Sequence, residues 1–514
     1  MRSGGGSREA RKGRSVRSVA GPPLTRREFL AGVGLAGAGV SSGAAAPRSE
    51  CERSRPNILF LLTDDQRWDT LGCAGHPLLK TPHIDRLAAS GVLFTNTFVT
   101  TSICPSNRAC ILSGQHMRTH GVRGFQESLP PGAFRETYPA LLRDAGYRTG
   151  FIGKYGIGDT ETGLWYPASQ FDYWRGFEGQ GNYFQELGEK QVHSTRLITR
   201  QAVEFLRGCS KDRPWCLSIS FKAPHHPWSE YDPEFASLFE GEAMPLAASA
   251  TDAAEKAQPE FIRESLAGSR SWGWSHSRLQ EWIRYYYRLV AGVDVAVGRI
   301  MAELAERGMA AQTVVFYTSD NGYMLYEHGL LGKWLMYEES IRVPMIVLDP
   351  RLPRERRGHR CDEMVLSIDC APTMLAMAGL SPPESMQGLD LSLLLGGQRV
   401  DWREDWFYEH TFTEPPPRYI PSSQGVRTAG WKYVRYVDQD PHFEQLFDLA
   451  SDRLEMTNLA GEPGCAEMLD RLRRRLRDWL GSLPSAKPNP DGSARRGSRV
   501  PSETTGASPA GTGR

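Results

Sequence analysis

Cys104 stands four residues ahead of Arg108 in the run Thr100-Thr101-Ser102-Ile103-Cys104-Pro105-Ser106-Asn107-Arg108-Ala109-Cys110-Ile111-Leu112-Ser113-Gly114. The run reads as a loop entering a helix, where free N–H groups and the helix dipole favour an anion. The pair is therefore a candidate anion site that carries a potential nucleophile. A lone pair of this kind is more often a buried cysteine beside a structural arginine, so other residues must decide. Asp64-Asp65 and Asp320-Asn321 each follow an apolar run and offer only oxygen ligands, which suits calcium or magnesium rather than zinc. Carboxylates gathered without a cation would repel and raise one another's pKa. Lys154, His225 and Lys333 each sit just past an apolar run or in a loop able to reach the same edge. With Arg108 they form a set that could hold a tetrahedral oxyanion. Together with a divalent cation, these residues describe a site for a sulfate or phosphate ester.

The elements that must carry them alternate. Residues 57–62 are a continuous apolar run, the pattern of a strand buried on both faces of a parallel sheet, and the run ends at Asp64-Asp65. A helix is expected through 84–89 and a strand over 92–94, before the Cys104 loop and its helix. Residues 138–145 read as helix, 149–153 as strand ending at Lys154, 195–206 as helix, and 215–221 as strand running into Ala223-Pro224-His225-His226-Pro227. A long amphipathic helix over 279–307 feeds a buried strand over 313–318, which ends in Ser319-Asp320-Asn321-Gly322. A strand over 344–348 and a helix over 371–378 follow. The polar residues thus gather just past strand ends, which in an open, mostly parallel sheet form the ligand-binding edge. Between 156 and 190 the chain is irregular and aromatic and reads as a loop suited to ligand contacts; residues 228–278 carry little pattern.

The expected fold is α/β, a large mostly parallel sheet sandwiched by helices over 54–397, with a smaller antiparallel α+β unit over 398–484. In that unit, short strands are expected at 406–408, 425–428, 432–436 and 445–448, and one helix at 467–479. From Ser485 the Ser/Gly/Pro/Arg-rich sequence reads as a disordered tail, 485–514.

A chain of 514 residues with a net charge of +1 can bury a large core and shows no sign of a nucleic-acid partner. Its basic residues are concentrated at the start, where 1–46 hold eight Arg/Lys against two acids. Within that head, Thr25-Arg26-Arg27-Glu28-Phe29-Leu30 resembles the twin-arginine export signal. A Gly-rich, weakly apolar stretch over 31–40 and Ala44-Ala45-Ala46 complete it. The stretch is too short and glycine-rich for a stable membrane anchor. The expectation is export through the twin-arginine translocase to the periplasm or beyond, with the mature chain starting near Pro47. Nine cysteines without a C-x-x-C give no zinc cage. Cys209 with Cys216, or Cys361 with Cys370, are candidate disulfides.

Over 56–480 the chain resembles the type I sulfatases, the formylglycine-dependent branch of the alkaline phosphatase superfamily. The matching blocks are Pro56-Asn57-Ile58-Leu59 through Asp64-Asp65-Gln66, Thr81-Pro82-His83-Ile84-Asp85-Arg86-Leu87-Ala88, the segment 104–114, Gly153-Lys154, Ala223-Pro224-His225-His226-Pro227, Ser319-Asp320-Asn321-Gly322, Glu327-His328-Gly329 through Lys333, and Tyr337-Glu338-Glu339-Ser340-Ile341-Arg342-Val343-Pro344. Phe171-Asp172-Tyr173-Trp174, Gly179-Gln180-Gly181-Asn182-Tyr183 and the segment 421–427 look similar to N-acetylglucosamine-6-sulfatase-like and mucin-desulfating members. The resemblance implies a sulfuric ester hydrolase acting on a sulfated small molecule or glycan. Cys104 would be oxidised to formylglycine by a formylglycine-generating or anaerobic maturation enzyme. Asp64, Asp65, Asp320 and Asn321, with the converted residue 104, would hold calcium or magnesium. Arg108 would stabilise the hydrate, Lys154 and Lys333 the sulfate oxygens, and His225 or Lys333 would protonate the leaving oxygen.

The chain departs from the family pattern at two places. The usual Cys-x-Pro-x-Arg or Cys-x-Ala-x-Arg has Ser106 at the Pro/Ala position, with Pro105 one place early and Asn107 for the common serine. The usual Gly-Lys-x-His reads Gly153-Lys154-Tyr155-Gly156, which leaves one histidine missing, with His116 and His328 as candidate stand-ins. Two other readings compete: a non-catalytic binder that keeps Cys104 as a thiol, and a phosphate or phosphonate ester hydrolase using the same site.

Overall fold

The computed structural model describes residues 55–158, 164–188, 190–273, 275–412 and 419–486. The expected leader, Cys51 and the tail from 487 onward lie outside the described residues.

The strands, in chain order, are β1 (Asn57–Thr63), β2 (Val92–Phe98), β3 (Arg148–Lys154), β4 (Tyr173–Phe177), β5 (Phe184–Leu187), β6 (Lys190–His193), β7 (Trp215–Ser220) and β8 (Thr313–Ser319). They continue as β9 (Met324–Leu325), β10 (Leu331–Gly332), β11 (Met345–Leu348), β12 (His359–Leu366), β13 (Asp405–His410), β14 (Ser423–Thr428), β15 (Trp431–Tyr436) and β16 (Phe443–Asp448). Eight of these make one sheet in the order β12-β2-β11-β8-β1-β7-β3-β4. Only β11 runs against its neighbours; the remaining pairings are parallel. β1, β7 and β8 are buried along their whole length, as their unbroken apolar sequences require of central parallel strands.

Because successive side chains on a strand point to opposite faces, β1 feeds two cores. Leu59 and Leu61 join one with the helices Pro82–Ser90, Ser194–Arg207 and His276–Glu306. Ile58, Phe60 and Leu62 join the other with Tyr138–Asp144 and Cys370–Met377. The sheet is thus sandwiched by helices.

Several elements differ from expectation. β2 extends to Phe98, and β4 lies inside the stretch read as loop. There, Phe171, Trp174 and Tyr166 pack against Phe151 and Tyr155 rather than lining an open surface. These aromatic residues are core filler, because the sheet face shared by β3 and the edge strand β4 needs apolar cover. Short helices, including Asp252–Ala257 and Glu260–Arg263, punctuate 228–278. β12 adds an edge strand to the expected set; its exposed His359, Arg360, Asp362 and Glu363 hide the strand period. Neither Cys209 with Cys216 nor Cys361 with Cys370 is bonded, and every described cysteine is a free thiol.

The C-terminal unit is the antiparallel sheet β13-β14-β15-β16. The helix Ala466–Ser482 covers it by pressing Leu469, Leu472 and Leu476, spaced at helical intervals, onto Val426, Tyr433 and Leu446. Its other face is tied to the large sheet by buried charge. Arg427 grips Glu338 at 2.9 and 3.2 Å, and Lys432 reaches both Glu338 at 2.9 Å and Glu455 at 2.6 Å. Arg427 and Lys432 outweigh its burial and hold the Glu338 carboxyl well below the usual range.

Candidate active site

The order β8-β1-β7-β3 places four carboxyl ends side by side. Asp64 and Asp65 leave β1, Asp320 and Asn321 leave β8, His225 follows β7, and Lys154 is the last residue of β3. Cys104 opens the fully buried helix Cys104–Ser113, whose N-terminus points its free N–H groups at the same edge, with Ile103 as the extended N-cap residue. Pro105 lies in the first turn, where a missing N–H costs nothing. Its shift by one place relative to the family motif therefore leaves the helix start intact. Lys333 arrives just past β10, in the small hairpin with β9.

The nine residues singled out from the sequence converge. Lys333 Nζ is 2.8 Å from Cys104 Sγ and also contacts Asp65. Cys104 Sγ lies 3.4 Å from Asp64 Oδ1. Lys154 Nζ meets Asp64 Oδ2 at 2.5 Å. Arg108 pairs with Asp320 at 2.8 Å and Asp64 at 3.3 Å, and its Nη1 donates to the Lys154 carbonyl at 2.6 Å. His225 Nε2 is 3.7 Å from Asp65 Oδ2, while its Nδ1 is engaged with the His226 carbonyl at 2.7 Å.

The electrostatics follow from packing three carboxylates in a dry space. Burial, together with Asp64 and Asp320, pushes Asp65 up to about 6 against the pull of Lys333. Asp320 is raised by burial and by Asp64. Asp64 falls well below the usual range: Lys154, Arg108 and Lys333 together outweigh its burial. Burial above all, then Asp64, drives the Cys104 thiol far above its ordinary value, so at neutral pH it is a thiol and a weak nucleophile. His225 is held neutral by burial.

A divalent cation fits this donor set. Asp64, Asp65, Cys104 and Asp320 present ligand atoms within 4.8 Å of one another, and Asp65 Oδ2 and Asn321 Oδ1 are buried with no hydrogen-bond partner. Unpartnered buried oxygens on carboxylate and amide groups are what a hard cation coordinates. The backbone is prepared for it as well. Asp65 adopts φ +66°, and its carbonyl accepts from the Tyr286 hydroxyl at 2.6 Å.

Other contributors lie outside the nine and act through contacts that no local spacing encodes. Asn107, where the family commonly has serine, donates to the Asp320 carbonyl at 2.5 Å and accepts from Ser367 at 2.7 Å. Gln180 meets Lys154 at 2.6 Å. Ser220 holds Arg108 at 2.5 Å. From the C-terminal unit, the Tyr408 hydroxyl receives the Ser102 N–H at 3.3 Å and donates to the Trp334 carbonyl at 2.6 Å, which pins the flanks of both Cys104 and Lys333.

The histidine stand-ins do not reach the site. His116 packs between Phe407 and Trp479, and His328 stacks on Tyr337; neither is hydrogen-bonded to any of the nine residues. Gly156 itself has φ +72°, and a Cβ there would lie 3.1 Å from Arg108 Cδ, so the arginine takes the room a histidine would need.

Comparison with known proteins gives the same picture. The sulfatase family model matches residues 56–380, and the C-terminal model of N-sulphoglucosamine sulphohydrolase matches 326–480. An N-acetylglucosamine-6-O-sulfatase of Bacteroides thetaiotaomicron is 28% identical, over 85% of this chain and 88% of its own length. An arylsulfatase of Clostridium perfringens is 26% identical, over 82% and 94%. Among solved structures, one bound to its substrate D-glucosamine-2-N,6-O-disulfate superposes with a TM-score of 0.71 at 26% identity, covering 83% of this chain and 98% of that one. A phosphonate monoester hydrolase of Agrobacterium radiobacter shares the fold at a TM-score of 0.71 and 23% identity, over 84% and 96%.

Proposed function

Since the chain belongs to the sulfatase family and is a sulfuric ester hydrolase, we propose that it removes sulfate from a carbohydrate monoester after export, with Cys104 converted to formylglycine. A calcium or magnesium ion would be held by Asp64, Asp65, Asp320 and Asn321, completed by the converted residue 104. The observation that carries this reading is Lys333 at 2.8 Å from Cys104 Sγ, inside a cluster of buried oxygen ligands. The carbohydrate assignment is supported by the relatives that act on N-acetylglucosamine 6-sulfate and bind a glucosamine disulfate.

Residue 104, if converted to formylglycine, would supply as its hydrate a hydroxyl nucleophile for sulfur and a second hydroxyl for release of the bound sulfate. The cation, when bound, supplies polarisation of the ester's S–O bonds and a lower pKa for the nucleophile. The chain's own groups do the rest. Arg108 fixes Asp64 and Asp320 and stands beside residue 104. Lys154 and Lys333 offer N–H donors to the sulfate oxygens. Lys333, charged and adjacent to Sγ, gives the proton to the departing alcohol oxygen. The neutral His225, with Nδ1 engaged by a carbonyl, presents Nε2 as an acceptor and orients the alcohol. The catalytic region is assigned to 54–397 and the second unit to 398–484.

Export through the twin-arginine translocase is inferred from Arg26-Arg27 and the Gly-rich stretch after them. Among the described residues no helix is long and apolar enough to cross a membrane.

Peptide mass spectrometry across Cys104 in exported protein, paired with sulfate release from sulfated glucosamine, tests the whole reading. Formylglycine together with glycan desulfation is expected. Quantitative thiol in the native host would replace it with the non-catalytic binder. Cleavage of aryl sulfates with none of sulfated glycans would remove the carbohydrate.

A further inference from the structure

Lys154 Nζ has two partners, Asp64 Oδ2 and Gln180 Oε1, the second at 2.6 Å. An ammonium only donates, so the amide oxygen must face it and Nε2 must turn away. Nε2 finds no acceptor among the described residues. Gln180 is held in place at the main chain as well. Its carbonyl accepts from Lys222 Nζ at 3.0 Å, Lys222 lies over the Tyr183 ring at 5.0 Å, and the Tyr183 hydroxyl donates to the His225 carbonyl at 2.6 Å. Gly179 and Gly181, at φ +58° and +61°, make the turn that brings Gln180 in. The result is a half-buried, uncharged donor held beside the Lys154 ammonium, in a site where Gly156 contributes no imidazole.

The charge of this wall matters. Arg108, Lys154 and Lys333 are matched in number by Asp64, Asp65 and Asp320, so Gln180 adds a hydrogen-bond donor to this wall without adding a charge. The nearest other cation, Lys222, spends its ammonium on the Gln180 carbonyl and the Tyr183 face. A sulfate monoester carries one negative charge and a phosphate monoester above neutral pH carries two. A neutral amide satisfies an oxygen of either, but compensates no additional charge in a water-poor space. We propose that Gln180 is a specificity-determining residue that contacts the ester's oxyanion and favours singly charged sulfate esters over doubly charged phosphate esters. This rests on the sulfatase reading for the identity of the bound group.

The test uses calcium-loaded full-length protein at pH 8, measuring calorimetric affinity and kcat/KM for phenyl sulfate and phenyl phosphate. Gln180→Lys is expected to move the preference toward phenyl phosphate by about tenfold in both measures. Gln180→Met, which keeps the length and loses the donor, is expected to weaken phenyl sulfate binding by about tenfold, in KM more than kcat. If both variants weaken the two esters equally and leave the preference unchanged, Gln180 acts on the fold alone and the inference is overturned. If wild type shows the binding preference and its shift in Gln180→Lys but releases no sulfate, the inference stands and the sulfatase reading fails.

Discussion

Lys333 Nζ and Cys104 Sγ approach to 2.8 Å although 229 residues separate them in the chain. The contact joins the start of the helix Cys104–Ser113 to the β9-β10 hairpin, and among the described residues Lys333 is the charged donor hydrogen-bonded to residue 104, on the side of the acidic cluster. Substituting Lys333→Met is expected to lower kcat by roughly 10²–10⁴-fold, the range for losing a positioned proton donor. Circular dichroism should stay native. A variant retaining more than half of wild-type kcat would move the proton transfer elsewhere.

Removing the divalent cation with a chelator is expected to abolish turnover and lower the unfolding midpoint by several degrees. Calcium should restore both, because a ligand that binds only the folded state stabilises it by mass action. Asp65→Asn, which leaves the buried cluster one charge short, should make the midpoint insensitive to chelator. Calorimetry before and after chelation checks it, and an unchanged midpoint in wild type would argue against an ion at this edge.

Restoring the family's histidine should harm this protein. Gly156→His places a side chain at φ +72° with its Cβ 3.1 Å from Arg108 Cδ. The left-handed backbone alone costs about 1–2 kcal/mol. The expected outcome is a less stable enzyme with lower activity, read by denaturant unfolding and aryl sulfate hydrolysis. A more active variant would mean that Arg108 yields the space readily.

Asp294 offers a pH handle away from the chemistry. Its carboxylate caps the helix Pro82–Ser90 through the His83 and Ile84 N–H groups at 3.0 and 2.8 Å, and burial pushes it up to about 6. A carboxyl whose folded pKa is raised binds its proton more tightly when folded. Its contribution is complete below the unfolded value near 4 and is lost as pH rises through about 6. Asp294→Asn keeps an acceptor for both N–H groups and removes the titration. The variant should gain stability relative to wild type as pH climbs from about 4 to 7, followed by thermal unfolding across that range. A constant difference at all pH values would show that Asp294 stays ionised throughout.

The parts of the fold visible beforehand are those where one requirement dominates. β1, β7 and β8 are covered on both faces, so their residues are almost wholly apolar and the acidic or basic groups just past them stand out. β12 and β4 lie at the sheet's two edges, where exposed His359 and Glu363, or aromatic side chains packed from one side only, blur the alternation. The site divides in the same way. Asp64, Asp65, Asp320, Asn321, Cys104 and Arg108 sit at element boundaries and in recognisable motifs. Gln180, Asn107 and Tyr408 act through contacts that span 26, 213 and 306 residues, which no local spacing encodes. The aromatic stretch misled because Trp174 and Phe171 look the same in a sequence whether they stack on a sugar or on Phe151.

Tyr408 has a consequence for timing. It is the clasp between the Ser102 amide and the Trp334 carbonyl, and it emerges from the ribosome about 300 residues after Cys104. Until β13 docks, the clasp on the start of the Cys104 helix is open; in the finished fold Cys104 is 1% exposed. Chains fold from the N-terminus as they are made, so the large sheet can form before this clasp does. The C-terminal sheet thus fixes the flanks of Cys104 and Lys333 only once the last four strands are in place.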